Sequence, residues 1–129
     1  MPEKLDTIDW TEVDIFHVHA LCESLADGSV GLIEHVADRF APYLKQVSTV
    51  NFGGGHFLNQ PVYDVDTLIA AIQGFRQRFN VEEVLEPGSG LDVNTGELHA
   101  TVIDTHWNDG HIALLAASAS THMPDVLEV

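Results

Sequence analysis

Three short strand-like runs rich in β-branched and apolar residues, Val13–Val18, Val47–Phe52 and Val81–Leu85, begin 34 residues apart. Runs of that length rich in Val, Ile and Phe predict strands covered on both faces, the pattern of a parallel sheet. Between the second and third runs, Val65, Leu68, Ile69, Ile72, Phe75 and Phe79 recur at helical spacing. They predict an amphipathic helix with Asp64 at its N-cap and Arg76 and Arg78 in its last turn, where cations meet the negative end of the helix dipole. Between the first and second runs, Leu32, Ile33, Val36 and Phe40 mark a second helical stripe, weakened by Gly31 and ended near Pro42.

Past Pro87 the rhythm changes. Two strand-like stretches, Glu97–Trp107 and His111–Ser118, flank Asn108-Asp109-Gly110, and Asp-Gly between such stretches predicts an antiparallel hairpin. The chain thus reads as α/β, a βαβαβ unit running into a β-rich region. Three strands of this type cannot close a (β/α)8 barrel, which needs eight strands and about 250 residues.

Composition narrows the function classes. A length of 129 residues with 45% hydrophobic and 19% charged content is that of one small globular domain. Twenty acidic residues against five basic ones give a net charge of −15, which repels phosphate backbones and anionic membranes but tolerates a cationic substrate. Acidity of this kind also serves solubility. No apolar run is long enough to span a bilayer and the MPEKLDTIDW start has no signal-peptide character, so a cytoplasmic location is the expectation. The single cysteine, Cys22, has no internal partner for a disulfide and no second thiolate for a metal.

Candidate chemistry gathers where parallel sheets place it, at the carboxyl ends of the strands. The first run ends in Phe16-His17-Val18-His19, the second in Asn51-Phe52-Gly53-Gly54-Gly55-His56, and the third in Leu85-Glu86-Pro87-Gly88-Ser89. Three successive glycines let backbone N–H groups approach an anion without interference from Cβ, although a tight turn needs glycines too. Glu86 is either a solvated turn carboxylate or the partner of a cationic ring nitrogen. His17 and His19, two residues apart, point to one side of a strand and suit either a packed histidine pair or a divalent metal. The remaining histidines, His35, His99, His106, His111 and His122, supply no second ligand group at a fixed spacing.

Taken in order, His17-x-His19-x-Leu21-Cys22-Glu23, Val50-Asn51-Phe52-Gly53-Gly54-Gly55-His56, Tyr63-Asp64-Val65-Asp66-Thr67-Leu68, Leu85-Glu86-Pro87-Gly88, Asn94-Thr95-Gly96 and the terminal His122-Met123-Pro124-Asp125-Val126-Leu127-Glu128 resemble the carboxynorspermidine decarboxylase branch of the alanine racemase-like, fold-type-III decarboxylases. The resemblance spans nearly the whole chain. It implies the late half of a (β/α)8 barrel over residues 1–90, entering a C-terminal β domain at residues 91–129, with pyridoxal phosphate as cofactor. By the same resemblance His17 stacks on the pyridine ring, Gly53, Gly54, Gly55 and Gly88 hold the phosphate, and Glu86 pairs with the pyridinium nitrogen. Ser89 and Asp125 fall at substrate-binding positions. Ser89 replaces the acidic residue usual in the branch, Phe57 and Thr121 stand where His and Cys are common, and Ala116 takes the place of an Asp in the last strand.

The resemblance also implies a Schiff-base lysine on the first barrel strand, upstream of the matched region. Lys4 and Lys45 are the lysines present, and neither follows a predicted strand, so no catalytic residue is assigned within this chain. The expectation is therefore a fragment of a polyamine carboxy-lyase whose parent, a homodimer by resemblance, acts on carboxynorspermidine or carboxyspermidine. Two other readings stand beside it: a metal-dependent hydrolase built on His17 and His19, and a remnant without activity of its own.

Overall fold

A computed structural model describes residues 2–127. Two compact units divide the chain at Val93/Asn94. In the first, β1 (Ile15–His17), β2 (Thr49–Asn51) and β3 (Glu82–Val84) form a parallel sheet in the order β1-β2-β3. The crossovers are carried by α2 (Ala26–Arg39) and α4 (Val65–Phe79), preceded by a short α1 (Pro2–Leu5). Another short helix, α3 (Ala41–Leu44), follows α2 directly. The mixed α/β order expected from the pattern is present, while the strands are shorter than the apolar runs that signalled them.

Central β2 has neighbours on both sides and buries Val50 completely, whereas Ile15 on β1 and Val84 on β3 are exposed. Those outer strands have hydrogen-bond partners on one side only, and against the expectation of strands buried throughout, Val50 of β2 is the one fully buried strand residue of the sheet among the described residues.

The two long helices form where their sequence signals place them, although Val65 and Ile69 of the expected α4 stripe are exposed. In α4 the Asp64 carboxylate accepts the Thr67 N–H at 3.0 Å, and Asn80 closes the other end in the left-handed conformation at φ 56°. An N-cap carboxylate and an Asn at a left-handed C-terminal position each relieve helix ends whose own backbone groups lack partners. Leu68, Phe75 and Phe79 turn inward, and Phe75 meets the Phe52 ring edge-on at 5.2 Å. In α2 the inward stripe is Ala26, Ser29, Leu32, Ile33, Val36 and Ala37, with Gly31 tolerated on the exposed side. Pro42 does not simply end this helix; it sits in the first turn of α3, where its missing N–H costs nothing.

The segment before β1 carries a feature absent from the sequence reading. Trp10 is buried, stacked on Tyr43 at 5.1 Å, and its indole N–H donates to the Leu5 carbonyl at 3.0 Å. The first unit ends with α5 (Gly88–Asp92).

In the second unit, β4 (Val102–Trp107) pairs antiparallel with β5 (His111–Leu115) across a tight turn in which Asp109 has φ 53°. The expected hairpin is present, its first strand starting at Val102 rather than Glu97. Every residue of both strands is exposed. A short helix α6 (Ala119–His122) and a 3-10 turn, Pro124–Leu127, complete the unit. Among the described residues no helix is long and apolar enough to cross a membrane.

Candidate functional site

Register places the site. His17 lies opposite Asn51, which lies opposite Val84. The ladder runs on beyond the strands through Val18 N–H to Asn51 C=O (2.8 Å), Phe52 N–H to Val84 C=O (2.9 Å) and Glu86 N–H to Gly53 C=O (2.8 Å). Side chains two residues apart share a face of a strand, so His17 and His19 from β1 and Glu86 from the end of β3 converge on the carboxyl rim. One ligand atom from each of the three lies within 4.8 Å of the others, and all three side chains are exposed. His17 Nε2 stands 3.9 Å from Glu86 Oε2.

Asn51 holds this rim together, and the sequence reading did not single it out. Its Nδ2 donates to Glu86 Oε1 at 2.7 Å, and its Oδ1 accepts the Gly53 N–H at 2.8 Å. One amide therefore orients the carboxylate and starts the glycine loop. Its place at the carboxyl end of the central strand, directly before the glycines, was the available signal; the bond to Glu86, 35 residues away, was not visible before folding.

The glycines are required by close backbone packing. Gly53 and Gly55 have φ of 68° and 83°, a region that favours glycine. A Cβ on Gly55 would lie 2.3 Å from the Leu21 carbonyl, and one on Gly54 would lie 2.8 Å from the Glu86 carbonyl. Gly55 C=O accepts the Ser24 N–H at 2.7 Å, so the loop is fastened on both flanks. The amides of Gly54 and Gly55 make no hydrogen bond among the described residues. Gly54 is buried and Gly55 partly so, and two neighbouring backbone donors without acceptors are suited to an anion.

The other sequence candidates are distributed as follows. Gly88 opens α5, with its N–H bonded to the Glu86 carbonyl at 2.9 Å, and half-buried Ser89 follows it. Asp125 belongs to the Pro124–Leu127 turn of the second unit, and its side chain lies outside the described residues. Lys45 caps α3 before the amino end of β2, at the end of the sheet opposite the rim, and Lys4 lies in α1. Neither lysine follows the carboxyl end of a strand.

His56 departs from the expectation of an open rim residue. It is fully buried, with Nδ1 2.9 Å from Ser29 Oγ, which is in turn 2.8 Å from Tyr63 Oη. Burial pushes its pKa below the ordinary imidazole range; the nearby carbonyls of Phe52 and Gly53 work against that shift, and His19 adds to it.

No family model matches the chain. The chain is nevertheless similar over nearly its whole length to decarboxylases, and to those of polyamine metabolism in particular. The carboxynorspermidine/carboxyspermidine decarboxylase of Campylobacter jejuni is 37% identical over 125 residues, covering 97% of this chain and 33% of the relative. The carboxyaminopropylagmatine decarboxylase of Synechocystis is 38% identical, covering 88% of this chain and 30% of the relative. The crystal structure of the Campylobacter jejuni carboxynorspermidine decarboxylase, complexed with norspermidine, matches with a TM-score of 0.82 at 36% identity over 98% of this chain and 34% of that one. The resemblance carried by the motifs is thereby borne out, and the chain spans about a third of the length of the curated relatives it matches.

Proposed function

We propose that this chain forms the cofactor-binding part of a pyridoxal-phosphate-dependent decarboxylase that acts on carboxynorspermidine or carboxyspermidine. In this reading residues 1–90 are the late half of a (β/α)8 barrel, residues 91–129 open a C-terminal β domain, and the complete enzyme is a homodimer. The observation that carries it is the pairing of an Asn51-oriented Glu86 carboxylate with a glycine loop holding unpaired amides on the same rim.

The donor set fits the group. Glu86 offers a carboxylate to the ring nitrogen and holds a proton there by a charge-assisted hydrogen bond. His17, beside it on the rim, offers the flat face on which a pyridine ring stacks. Gly54 and Gly55, with Gly53 and Gly88 shaping the backbone around them, give N–H groups to the phosphate. The bound cofactor supplies an electron sink for the pair released when carbon dioxide leaves the substrate. By the motif resemblance Ser89 and Asp125 are each substrate-binding positions, and a carboxylate at Asp125 suits an amine of a polyamine.

Spectrophotometric titration of the purified chain tests this reading. Pyridoxal phosphate is expected to bind weakly and reversibly, with no borohydride-trapped adduct at a unique lysine and no turnover of carboxynorspermidine. Glu86→Ala is expected to weaken binding roughly tenfold, the loss of one charge-assisted contact. Affinity unchanged in that variant removes Glu86 from the site, and turnover or specific trapping at Lys4 or Lys45 overturns the assignment of those lysines to the surface.

The convergence of His17, His19 and Glu86 within 4.8 Å also favours a second reading, a divalent metal held for hydrolytic chemistry. Stoichiometric zinc that a chelator removes from purified protein supports it; metal-free protein that still binds pyridoxal phosphate eliminates it.

A further inference from the structure

The cofactor reading uses the glycine loop but leaves unexplained the buried polar chain behind it. Ser29 on α2 and Tyr63 just before α4 are both buried, and both reach toward His56, which follows the loop. Three polar side chains from three segments meet in an otherwise apolar core, at 2.9 Å and 2.8 Å. Apolar residues of the same shape would fill that space without the desolvation cost, so the polar chain calls for a role.

The polar chain is open to two hydrogen arrangements, one of which keeps Nδ1 as an acceptor. In that one Tyr63 O–H donates to Ser29 Oγ, and Ser29 O–H donates to His56 Nδ1. Nδ1 then accepts, and the ring proton resides on Nε2. That nitrogen is buried with no hydrogen-bond partner among the described residues, and the backbone of Phe52 and Gly53 lies close to the ring. The reverse arrangement, with Nδ1 donating to Ser29 Oγ, turns the Ser29 hydroxyl to the longer contact with the Leu25 carbonyl at 3.4 Å.

We propose that His56, held neutral in the Nε2–H form by Ser29 and Tyr63, is a positioning residue for the Gly53–Gly55 loop, setting its backbone for the phosphate of the cofactor. The inference rests on the proposed cofactor reading for its ligand, but not for its geometry. The loop's carbonyls are already engaged, Gly53 with the Glu86 N–H and Gly55 with the Ser24 N–H. A loop fixed on its carbonyl side by neighbours and braced from within by a buried imidazole keeps the Gly54 and Gly55 amides free for an acceptor. Ser24 and His56 are also bridge partners, so a shift of His56 is felt at both flanks of the loop.

The test uses the full chain, isotopically labelled, with Ser29→Ala and Tyr63→Phe variants; the second keeps the ring if the first fails to fold. Imidazole nitrogen shifts are expected to show His56 neutral with its proton on Nε2 at a pH where exposed histidines are charged. In both variants the amides of Ser24 and Glu86, which bond to the loop carbonyls, are expected to exchange about tenfold faster, while the Phe52 amide on the central strand keeps its rate. The preference for pyridoxal phosphate over pyridoxal is expected to fall by a similar factor. A proton on Nδ1, unchanged exchange at Ser24 and Glu86, or an equal acceleration at Phe52 overturns the positioning role. A parent chain that binds both compounds equally defeats the cofactor reading instead, and the exchange data then decide the positioning role alone.

Discussion

The central strand of the parallel sheet and the hairpin both carry apolar residues, but that strand buries its own and the hairpin does not. β2 carries Val50 fully buried between β1 and β3 and under Phe75 of α4, with Phe52 beside it. β4 and β5 carry Val102, Ile103, Trp107, Ile112, Leu114 and Leu115, all of them exposed. In the βαβ unit each crossover brings its own covering helix, so the apolar face is satisfied by residues a few dozen positions away. A two-stranded hairpin has no such cover and is marginal as an isolated element. Apolar content therefore identifies a strand, but the connection that follows it determines whether the strand is buried.

The sharpest way to break this contrast is to cut into the covered region. Phe52→Ala removes a fully buried ring and is expected to cost about 3–5 kcal/mol in urea denaturation, a large share of the stability of an ordinary domain. Retention of the parent's midpoint would mean that the sheet and its helices are not one cooperative core.

Gly55→Ala should come next, at about 2 kcal/mol or more, because it meets both a left-handed φ and the Leu21 carbonyl. Gly110→Ala in the hairpin turn is the matched control: its added Cβ meets nothing within 4 Å. Equal midpoints for the two variants would dissociate the loop packing from stability.

A smaller effect is expected at the start of α4. The Thr67 side chain and N–H bonded to Asp64 hold its carboxyl below the usual carboxylate range. A depressed folded-state pKa gives stability that is present above the ordinary value of 3.8 and lost as pH falls through the folded value. Asp64→Ala should lower the midpoint at neutral pH and converge with the parent in acid. A gap that persists unchanged in acid would assign the effect to something other than the ionised cap.

The smallest stability change belongs to the hairpin. Ile103→Ser, at a residue 62% exposed, is expected to alter unfolding by no more than about 0.5 kcal/mol. Exposed apolar strands with open edges favour association, so the same variant should reduce dye binding and the mass found by sedimentation. A parent chain that is monomeric and binds no dye would contradict that expectation.

Much of this was legible before the structure. The 34-residue spacing of Val13, Val47 and Val81 marked a repeated unit, while the Asp64 cap of α4 and the Asp-Gly turn rest on contacts within a few residues. Periodicity and capping report such local physics directly. The grouping of His17, His19 and Glu86 was also accessible, because parallel strands put their carboxyl ends on one rim.

What only the tertiary structure decided are the partners brought from far along the chain. Asn51 binds Glu86 across 35 residues, and Ser29 reaches His56 across 27 and Tyr63 across 34. No local pattern encodes those pairs, since an isolated Asn at a strand end or a Ser on a helix face has the same sequence signature whether it faces water or a buried imidazole. His56 illustrates the limit. Its place after three glycines located it next to the rim, but its direction, inward to Ser29 rather than outward, follows from how α2 and the segment before α4 pack against the loop. The sequence by itself determined the elements and the rim they share; the packing of those elements decided which polar groups meet there and which are sealed beneath it.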